Sequence, residues 1–212
     1  MGIGEMLGES FEYTKEAFIG KWVRWIILII CSIIFPLIMG YSLEVMRGKK
    51  PAPEPGNWGK TLIDGILYFI INFIYMIPVW ILAFIFILPA VMMGFSGNVT
   101  GAIALGGIGL LATIIVAIIL TLIAVIAVVR FAREEKFGEA FNFSEILAKI
   151  KSIGWLNLFI KLLVVEIIIG IIYFILFMLS ALSIIGTILI FILLPVFTVF
   201  MSRYICQIYD SA

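Results

Sequence analysis

The sequence contains no histidine, and charged residues make up only 13% of its 212 positions. Without histidine the chain lacks the commonest protein metal ligand and the usual general base near neutral pH. Soluble domains contain about 25% charged residues, so this chain has too little polar surface to cover a water-exposed fold of its size. Its net charge of +1 also provides no large field that would attract nucleic acid. We therefore expect neither a soluble fold nor a nucleic-acid partner.

Motifs that carry chemistry are equally scarce. The two cysteines, Cys31 and Cys206, lie far apart in apolar stretches and form no CxxC pair, which argues against a metal or redox centre. A serine–histidine–aspartate set is excluded because histidine is missing. The sequence therefore predicts no catalytic residues, no metal ligands and no cofactor.

Long apolar runs dominate what is present. Hydrophobic residues make up 64% of the chain, and its mean hydropathy is +1.27. A transmembrane helix needs about 20 consecutive apolar residues. The sequence therefore predicts an all-α integral membrane protein, a single membrane domain over residues 1–212. Its four full transmembrane helices are expected at 66–92, 102–129, 156–181 and 187–205.

Amphipathic stretches flank these runs. Residues 3–20 place apolar side chains at helical spacing among four glutamates, which predicts a helix on the membrane surface. The cations and indoles at positions 21–25 are typical of the membrane interface. Residues 130–151 predict a second interfacial segment, in which Asn142 or Ser144 caps a helix.

The first apolar run, residues 22–46, has two interpretations. Basic residues flank it on both sides, and it is too short to cross the membrane twice. Because basic segments stay in the cytoplasm, an N-terminal re-entrant hairpin turning near Cys31–Pro36 satisfies the charge distribution. The alternative is a fifth span with the N-terminus outside.

Three consecutive segments show the same order of features, namely a surface helix, an apolar hairpin and a stretch of basic residues. They cover residues 3–50, 57–136 and 139–212. The fragments FPLIMGYSLEV (35–45) and LPVFTVFMSRY (194–204) are similar to one another. This weak internal similarity predicts a membrane protein built from repeats.

One face of the predicted span 102–129 carries small residues at every third or fourth position. Such a stripe lets another helix backbone approach closely, which is how helices associate in lipid. It predicts packing within the chain or, alternatively, a homo-oligomer interface. The stripe consists of Ala102, Gly106, Gly109, Thr113 and Ala117.

Glu166 lies deep within the predicted span 156–181 and is the most costly residue of the chain in a bilayer. A carboxylate there costs about 3 kcal/mol on insertion scales, so it usually faces a cavity, pairs with a partner or stays protonated. Two hypotheses are open, a proton- or cation-binding role and a protonated carboxyl hydrogen-bonded within the bundle. The predicted intramembrane polar site consists of Glu166, Asn72, Tyr75, Thr113 and Thr121.

The string PEPGNWGKTLIDG at 53–65 is the most distinctive in the sequence. Trp58 and Lys60 suit the headgroup region, and together with Lys49 and Lys50 they form a candidate site for lipid headgroups. An ordinary interfacial anchor is the simpler interpretation. Membrane lipids are therefore the expected partners.

The order of these features resembles a known family. Its marks are an acidic surface helix, an apolar run containing Gly40-Tyr41, the string P-x-x-x-N-W-G-K-x-x-x-D-G and a closing R-Y-x-x-x-x-Y-D from Arg203 to Asp210. They resemble a family of polytopic membrane proteins of unknown function, found mainly in archaea and some bacteria. The resemblance covers nearly the whole chain and implies a multi-pass protein of a prokaryotic cell membrane. It implies no activity.

Three functional hypotheses follow. The leading one is a small non-enzymatic membrane protein that acts as a scaffold, an accessory subunit or a lipid-organising factor, as a homo-oligomer or within a larger membrane complex. The alternative is a small transporter or channel that binds a proton or cation at Glu166. A lipid-modifying enzyme using Asp64, Glu44 and Lys60 near the headgroups is the third.

Overall fold

The computed structural model describes residues 1–212, apart from the side chain of Leu182. All regular secondary structure in the described chain is helical, and the described residues form no strand. Its α-helices are α1 (Ile3–Phe18), α2 (Trp22–Ile33), α3 (Phe35–Met46), α4 (Trp58–Phe95), α5 (Val99–Glu134), α6 (Phe143–Ile153), α7 (Trp155–Leu182) and α8 (Ile184–Asp210), with a 3-10 turn at Phe137–Phe141.

Four helices, α4, α5, α7 and α8, are long and apolar enough to cross a membrane. This confirms the predicted all-helical membrane architecture with four spans. Helices α4 and α5 contain 38 and 36 residues. At about 1.5 Å per residue, both exceed a hydrocarbon core of roughly 30 Å. Helix α4 continues through Pro78 and Pro89.

The first apolar run forms two short helices. Helices α2 and α3 contain 12 residues each and are separated at Ile34. Pro36 follows at the start of α3, where the missing N–H of a proline costs no helical hydrogen bond. Each helix is about 18 Å long, which is shorter than the roughly 30 Å of the hydrocarbon core. The two contact each other, and both contact α8.

The helices form two compact units. The first consists of Met1–Phe69 and Val125–Ala212, and the second of Ile70–Ala124. Within the first unit, α8 contacts α1, α2, α3, α6 and α7. The core of this unit is formed by buried side chains of α1, α2, α3 and α8, among them Tyr13, Phe18, Leu28, Tyr41 and Val199.

The second unit contains the parts of α4 and α5 that adjoin their connecting turn. The small-residue stripe packs against α4 here. A Cβ on Gly109 would overlap Phe86, and one on Gly106 would lie 3.4 Å from the Cβ of Ala90. Gly106 and Gly109 of the stripe thus lie at a helix crossing inside this chain.

Two glycines in the first unit bring the backbones of α3 and α4 into contact. A Cβ on Gly40 would overlap the carbonyl of Thr61, and a Cβ on Gly65 would overlap the carbonyl of Pro36. Close crossings at small residues are typical of membrane helices. Both glycines belong to the strings that resemble the membrane-protein family.

The variant Gly65→Ala is expected to lower the free energy of unfolding by about 1–3 kcal/mol, because the added methyl group must displace α3. The matched control is Gly59→Ala in the same helix, where a Cβ would meet no atom within 4 Å. Thermal unfolding of the purified protein in detergent measures both effects. Equal unfolding temperatures for Gly65→Ala and the wild type would contradict the close crossing.

Candidate functional site

Charged side chains converge in the first unit, where the ends of its helices meet. Asp64 and Arg203 are 7% and 5% exposed. A buried charge needs a partner, because its removal from water is otherwise very costly. The ion pairs that satisfy this need form three separate groups, which together we call the ionic network. The groups are Arg47, Lys60, Asp64 and Glu135; Glu9, Lys50 and Arg203; and Arg133 with Asp210.

The surface helix α1 is attached to α8 by polar contacts. The guanidinium of Arg203 donates to Glu9 at 3.0 Å, and the amide of Gln207 donates to the hydroxyl of Ser10 at 2.9 Å. The guanidinium carbon of Arg203 also lies 5.1 Å from the centre of the Tyr13 ring. We call these five residues the α1 clamp.

A second cation also pairs with the carboxylate of the clamp. Lys50, in the loop after α3, pairs with Glu9. The hydrogen bond from Lys50, together with that from Arg203, holds the pKa of Glu9 below its ordinary value of 4.5. Burial raises the pKa of Tyr13 to about 12, and its hydroxyl donates to the backbone carbonyl of Lys49 at 3.1 Å. The clamp therefore contains an ionised carboxylate and a neutral phenol at neutral pH.

Arg133 connects α5 to α8 and to the end of α3. Its guanidinium donates to Asp210 at 2.8 Å and to the carbonyl of Met46 at 2.9 Å. Gly48 has a φ of +82°, and a Cβ there would lie 2.9 Å from a guanidinium nitrogen of Arg133. A glycine at this position thus satisfies both the left-handed backbone and the close approach of the arginine.

Arg47 connects α3 to α4 and to the end of α5. It donates to Asp64 at 2.6 Å and lies 3.0 Å from Glu135, which also accepts from Lys60 at 2.7 Å. The hydrogen bond from Lys60 and the charge of Arg47 hold the pKa of Glu135 below its ordinary range. The ends of three helices are therefore held by alternating charges.

The residues that carry the family resemblance lie in these contacts. Asp64, Arg203 and Asp210 belong to the ionic network, and the buried hydroxyl of Tyr204 donates to the carbonyl of Lys161 at 3.0 Å. Their role in the fold is to hold helix ends together.

The candidate headgroup residues are of two kinds. Lys49 and Trp58 are exposed and point away from the core. Lys50 and Lys60 belong to the ionic network, and their side chains are 57% and 42% exposed. Exposed ion pairs contribute little to stability. All four residues are therefore accessible from the surroundings of the protein.

The predicted intramembrane polar residues are distributed over both units. Glu166 belongs to the first unit, whereas Asn72, Tyr75, Thr113 and Thr121 belong to the second. The side chain of Glu166 is exposed on α7 and makes no hydrogen bond or ion pair with any described residue. Tyr75 is buried, and the buried hydroxyl of Thr113 has no hydrogen-bond partner in the described part of the chain.

A large groove in the first unit was not anticipated from the sequence. Its volume is about 620 Å³, and α1, α2, α7 and α8 form its walls. Each helix contributes apolar side chains, for example Phe18, Trp25, Ile172 and Phe197. Lys15 is the one charged residue among the described side chains that line the groove. We call it the α1 groove. Each wall residue alone resembles any lipid-facing side chain, so no local pattern reveals the groove.

Sequence reasoning also missed a smaller pocket of about 230 Å³ in the first unit. The hydroxyls of Ser42 and Ser202 share a hydrogen bond of 2.7 Å in its wall, beside Tyr68 and Tyr173. A serine in an apolar helix gives little signal, because its hydroxyl can bond to a carbonyl of its own helix. Among the described residues, no three Cys, Asp or Glu side chains lie close enough to hold a metal ion.

Comparison with known proteins identifies a family but no activity. A family model described as "Protein of unknown function (DUF4013)" matches residues 25–181. This range contains Arg47, Asp64 and Arg133, whereas the α1 clamp lies outside it. No curated protein and no solved structure matches the chain significantly.

The lowered pKa of Glu9 predicts a loss of stability in acid. A carboxyl whose pKa is lower in the folded state stabilises the fold above its ordinary pKa, and this contribution disappears as the pH falls through the folded value. The unfolding temperature of the wild type should therefore decrease as the pH falls below about 4.5, the ordinary value. The variant Glu9→Gln should show a shallower decrease.

Glu16→Gln is the control, because Glu16 is exposed on the same helix and has no ion pair with any described residue. Unfolding temperatures measured across the acid range in one detergent compare the three proteins. If Glu9→Gln retained the full acid dependence of the wild type, the charge at the clamp would not be responsible for it.

Proposed function

The chain belongs to the DUF4013 family of proteins of unknown function, and we propose that it acts as a non-enzymatic, lipid-organising scaffold of a prokaryotic cell membrane. The observation that carries the proposal is the α1 clamp. An amphipathic helix that is fixed to the end of an apolar span presents a rigid surface to the lipids around it. A helix held only by its apolar face would shift with the lipids instead.

The environment of the candidate catalytic residues supports a non-enzymatic role. Asp64 is engaged by Arg47, Glu44 accepts a hydrogen bond from Thr61 at 2.9 Å, and Lys60 is engaged by Glu135. Each of the three candidate groups therefore contacts a different partner, and none of these contacts joins two of the candidates. A lipid-modifying reaction would need at least two of them at one reacting atom.

We further propose that α2 and α3 form a re-entrant hairpin. Their lengths of 12 residues, the break at Ile34 and their contact with each other support this arrangement. The residues that flank the pair, α1 and the loop containing Lys49, are linked by the hydrogen bond from Tyr13. Both ends of the hairpin then lie on the cytoplasmic side, as the positive-inside rule requires.

Cysteine labelling in intact cells or sealed vesicles tests the hairpin. Gly4→Cys and Lys49→Cys place thiols at exposed positions before and after the pair, whereas the native thiols of Cys31 and Cys206 are buried. A membrane-impermeant reagent should label both new thiols from the same side. Labelling from opposite sides would establish a fifth span instead.

Spin-labelled phospholipids test the scaffold. In reconstituted vesicles, the number of motionally restricted lipids per protein should fall when the clamp is broken by Glu9→Gln with Ser10→Ala, because α1 is no longer held in place. Glu16→Gln makes the same change of charge on the exposed face and should leave the number unchanged. Circular dichroism verifies that each variant remains helical. An equal number of restricted lipids in all three proteins would contradict the proposal.

A transporter is the second candidate, and the hydroxyl-lined pocket beside Ser42 and Ser202 is the observation that favours it. Hydroxyl groups in an apolar bundle can replace part of the hydration shell of a small solute. Flux of protons or cations through proteoliposomes, absent from empty vesicles and abolished by Ser42→Ala with Ser202→Ala in this pocket, would establish the transporter and overturn the scaffold.

A further inference from the structure

The α1 groove has room for part of one hydrocarbon chain of a lipid. Its volume of about 620 Å³ lies within the range of about 300–1,000 Å³ typical of ligand sites in proteins. Leu193 and Phe200 mark its extent along α8, a distance of about 10 Å. An apolar site of this kind favours hydrocarbon over any polar ligand.

The groove also has a polar end and an apolar end. Phe200 lies close to Arg203 of the α1 clamp, whereas Leu193 lies about two turns farther from Arg203, in the uncharged part of α8. The groove therefore begins beside the ionic network and continues into the span. A membrane lipid has the same order, with a headgroup at one end of its chain.

The charges at the polar end are of both signs. Lys15 lines the groove, and its ammonium lies 3.4 Å from the carboxylate of Glu12. The two side chains are 49% and 62% exposed, and such pairs are weak enough to be exchanged for a ligand. A zwitterionic headgroup matches them, because its phosphate accepts from Lys15 and a primary ammonium donates to Glu12. An anionic headgroup would be repelled by Glu12, whose carboxylate lies beside Lys15.

We propose that the α1 groove binds one acyl chain of a phospholipid with a primary-ammonium headgroup, whose phosphate contacts Lys15 and whose ammonium contacts Glu12. The inference rests on the proposed lipid-organising function and names the class of lipid that the clamped helix holds. A quaternary ammonium carries no N–H donor, so a choline headgroup lacks the contact with Glu12.

Trp25 provides a reporter inside the groove. Its ring lines the groove, and its indole N–H donates to the carbonyl of Ile192 at 2.9 Å, which fixes the ring in place. Replacing the other four tryptophans by phenylalanine yields a single-tryptophan protein. The matched control retains Trp80 alone, which is 53% exposed in the second unit and reports on lipid outside the groove.

The test is quenching by phospholipids with brominated acyl chains, which quench tryptophan on contact. Vesicles of unlabelled phosphatidylcholine contain a minor fraction of brominated phosphatidylethanolamine, phosphatidylcholine or phosphatidylglycerol. The apparent affinity for the ethanolamine lipid at Trp25 should exceed that for the other two by about threefold. Trp80 should be quenched equally by all three.

Variants of the groove assign the preference to its residues. Lys15→Gln and Glu12→Gln should each remove the headgroup preference at Trp25, whereas Glu16→Gln should retain it. Ile172→Phe fills part of the groove and should weaken quenching of Trp25 by every lipid.

Several results would overturn the inference. One is equal quenching of Trp25 by the three lipids or a preference for phosphatidylglycerol. Another is a preference for the ethanolamine lipid that survives both Lys15→Gln and Glu12→Gln. A third is stronger quenching by a brominated free fatty acid than by any phospholipid. The spin-label measurement is independent of these results. Clamp-dependent restriction of lipids without a headgroup preference at Trp25 overturns this inference alone. A headgroup preference without clamp-dependent restriction overturns the proposed scaffold alone.

Discussion

The buried guanidinium of Arg203 is the constraint on which the first unit depends. It is 5% exposed, and a charge buried to this extent must be compensated. Glu9 supplies the compensating charge from a position 194 residues away. An ion pair of this kind adds little net stability compared with apolar packing, but loss of one partner leaves an uncompensated buried charge. The pair therefore determines where α1 docks, and with it the position of one wall of the α1 groove.

Features that depend on local composition could be predicted from the sequence. Long apolar runs suffice to predict four spans, and helical spacing suffices to predict α1. The cap at Asn142, whose side chain accepts from the backbone N–H of Glu145, follows from residue type and position. Contacts between distant residues could not be predicted in this way. Nothing in a linear pattern indicates which of several glutamates lies next to Arg203.

The candidate site was less predictable, because the position of a residue along a predicted span does not reveal whether its side chain is buried. Depth singles out Glu166, which the structure places on an exposed face of α7. Arginines near helix ends are expected to extend to the interface and remain solvated. Arg24 and Arg203 are instead 4% and 5% exposed, because α1 and the loop after α3 cover them. Helices outside the membrane core thus decide which charges are buried, and their docking is a tertiary property.

Two neighbouring helices are attached to α8 by polar contacts, one near Pro195 and one at Arg203. Pro195 has no N–H, so the carbonyl of Phe191 loses its helical donor. The indole of Trp25 bonds to the adjacent carbonyl of Ile192 and attaches α2 to α8 near this proline. Arg203 attaches α1 to the same helix beyond the other end of the groove. A groove can hold a chain only if its walls stay apart at a fixed distance, and these two attachments fix α1 and α2 independently. Both attachments are polar, so the separation of the apolar walls depends on a hydrogen bond and an ion pair at the groove.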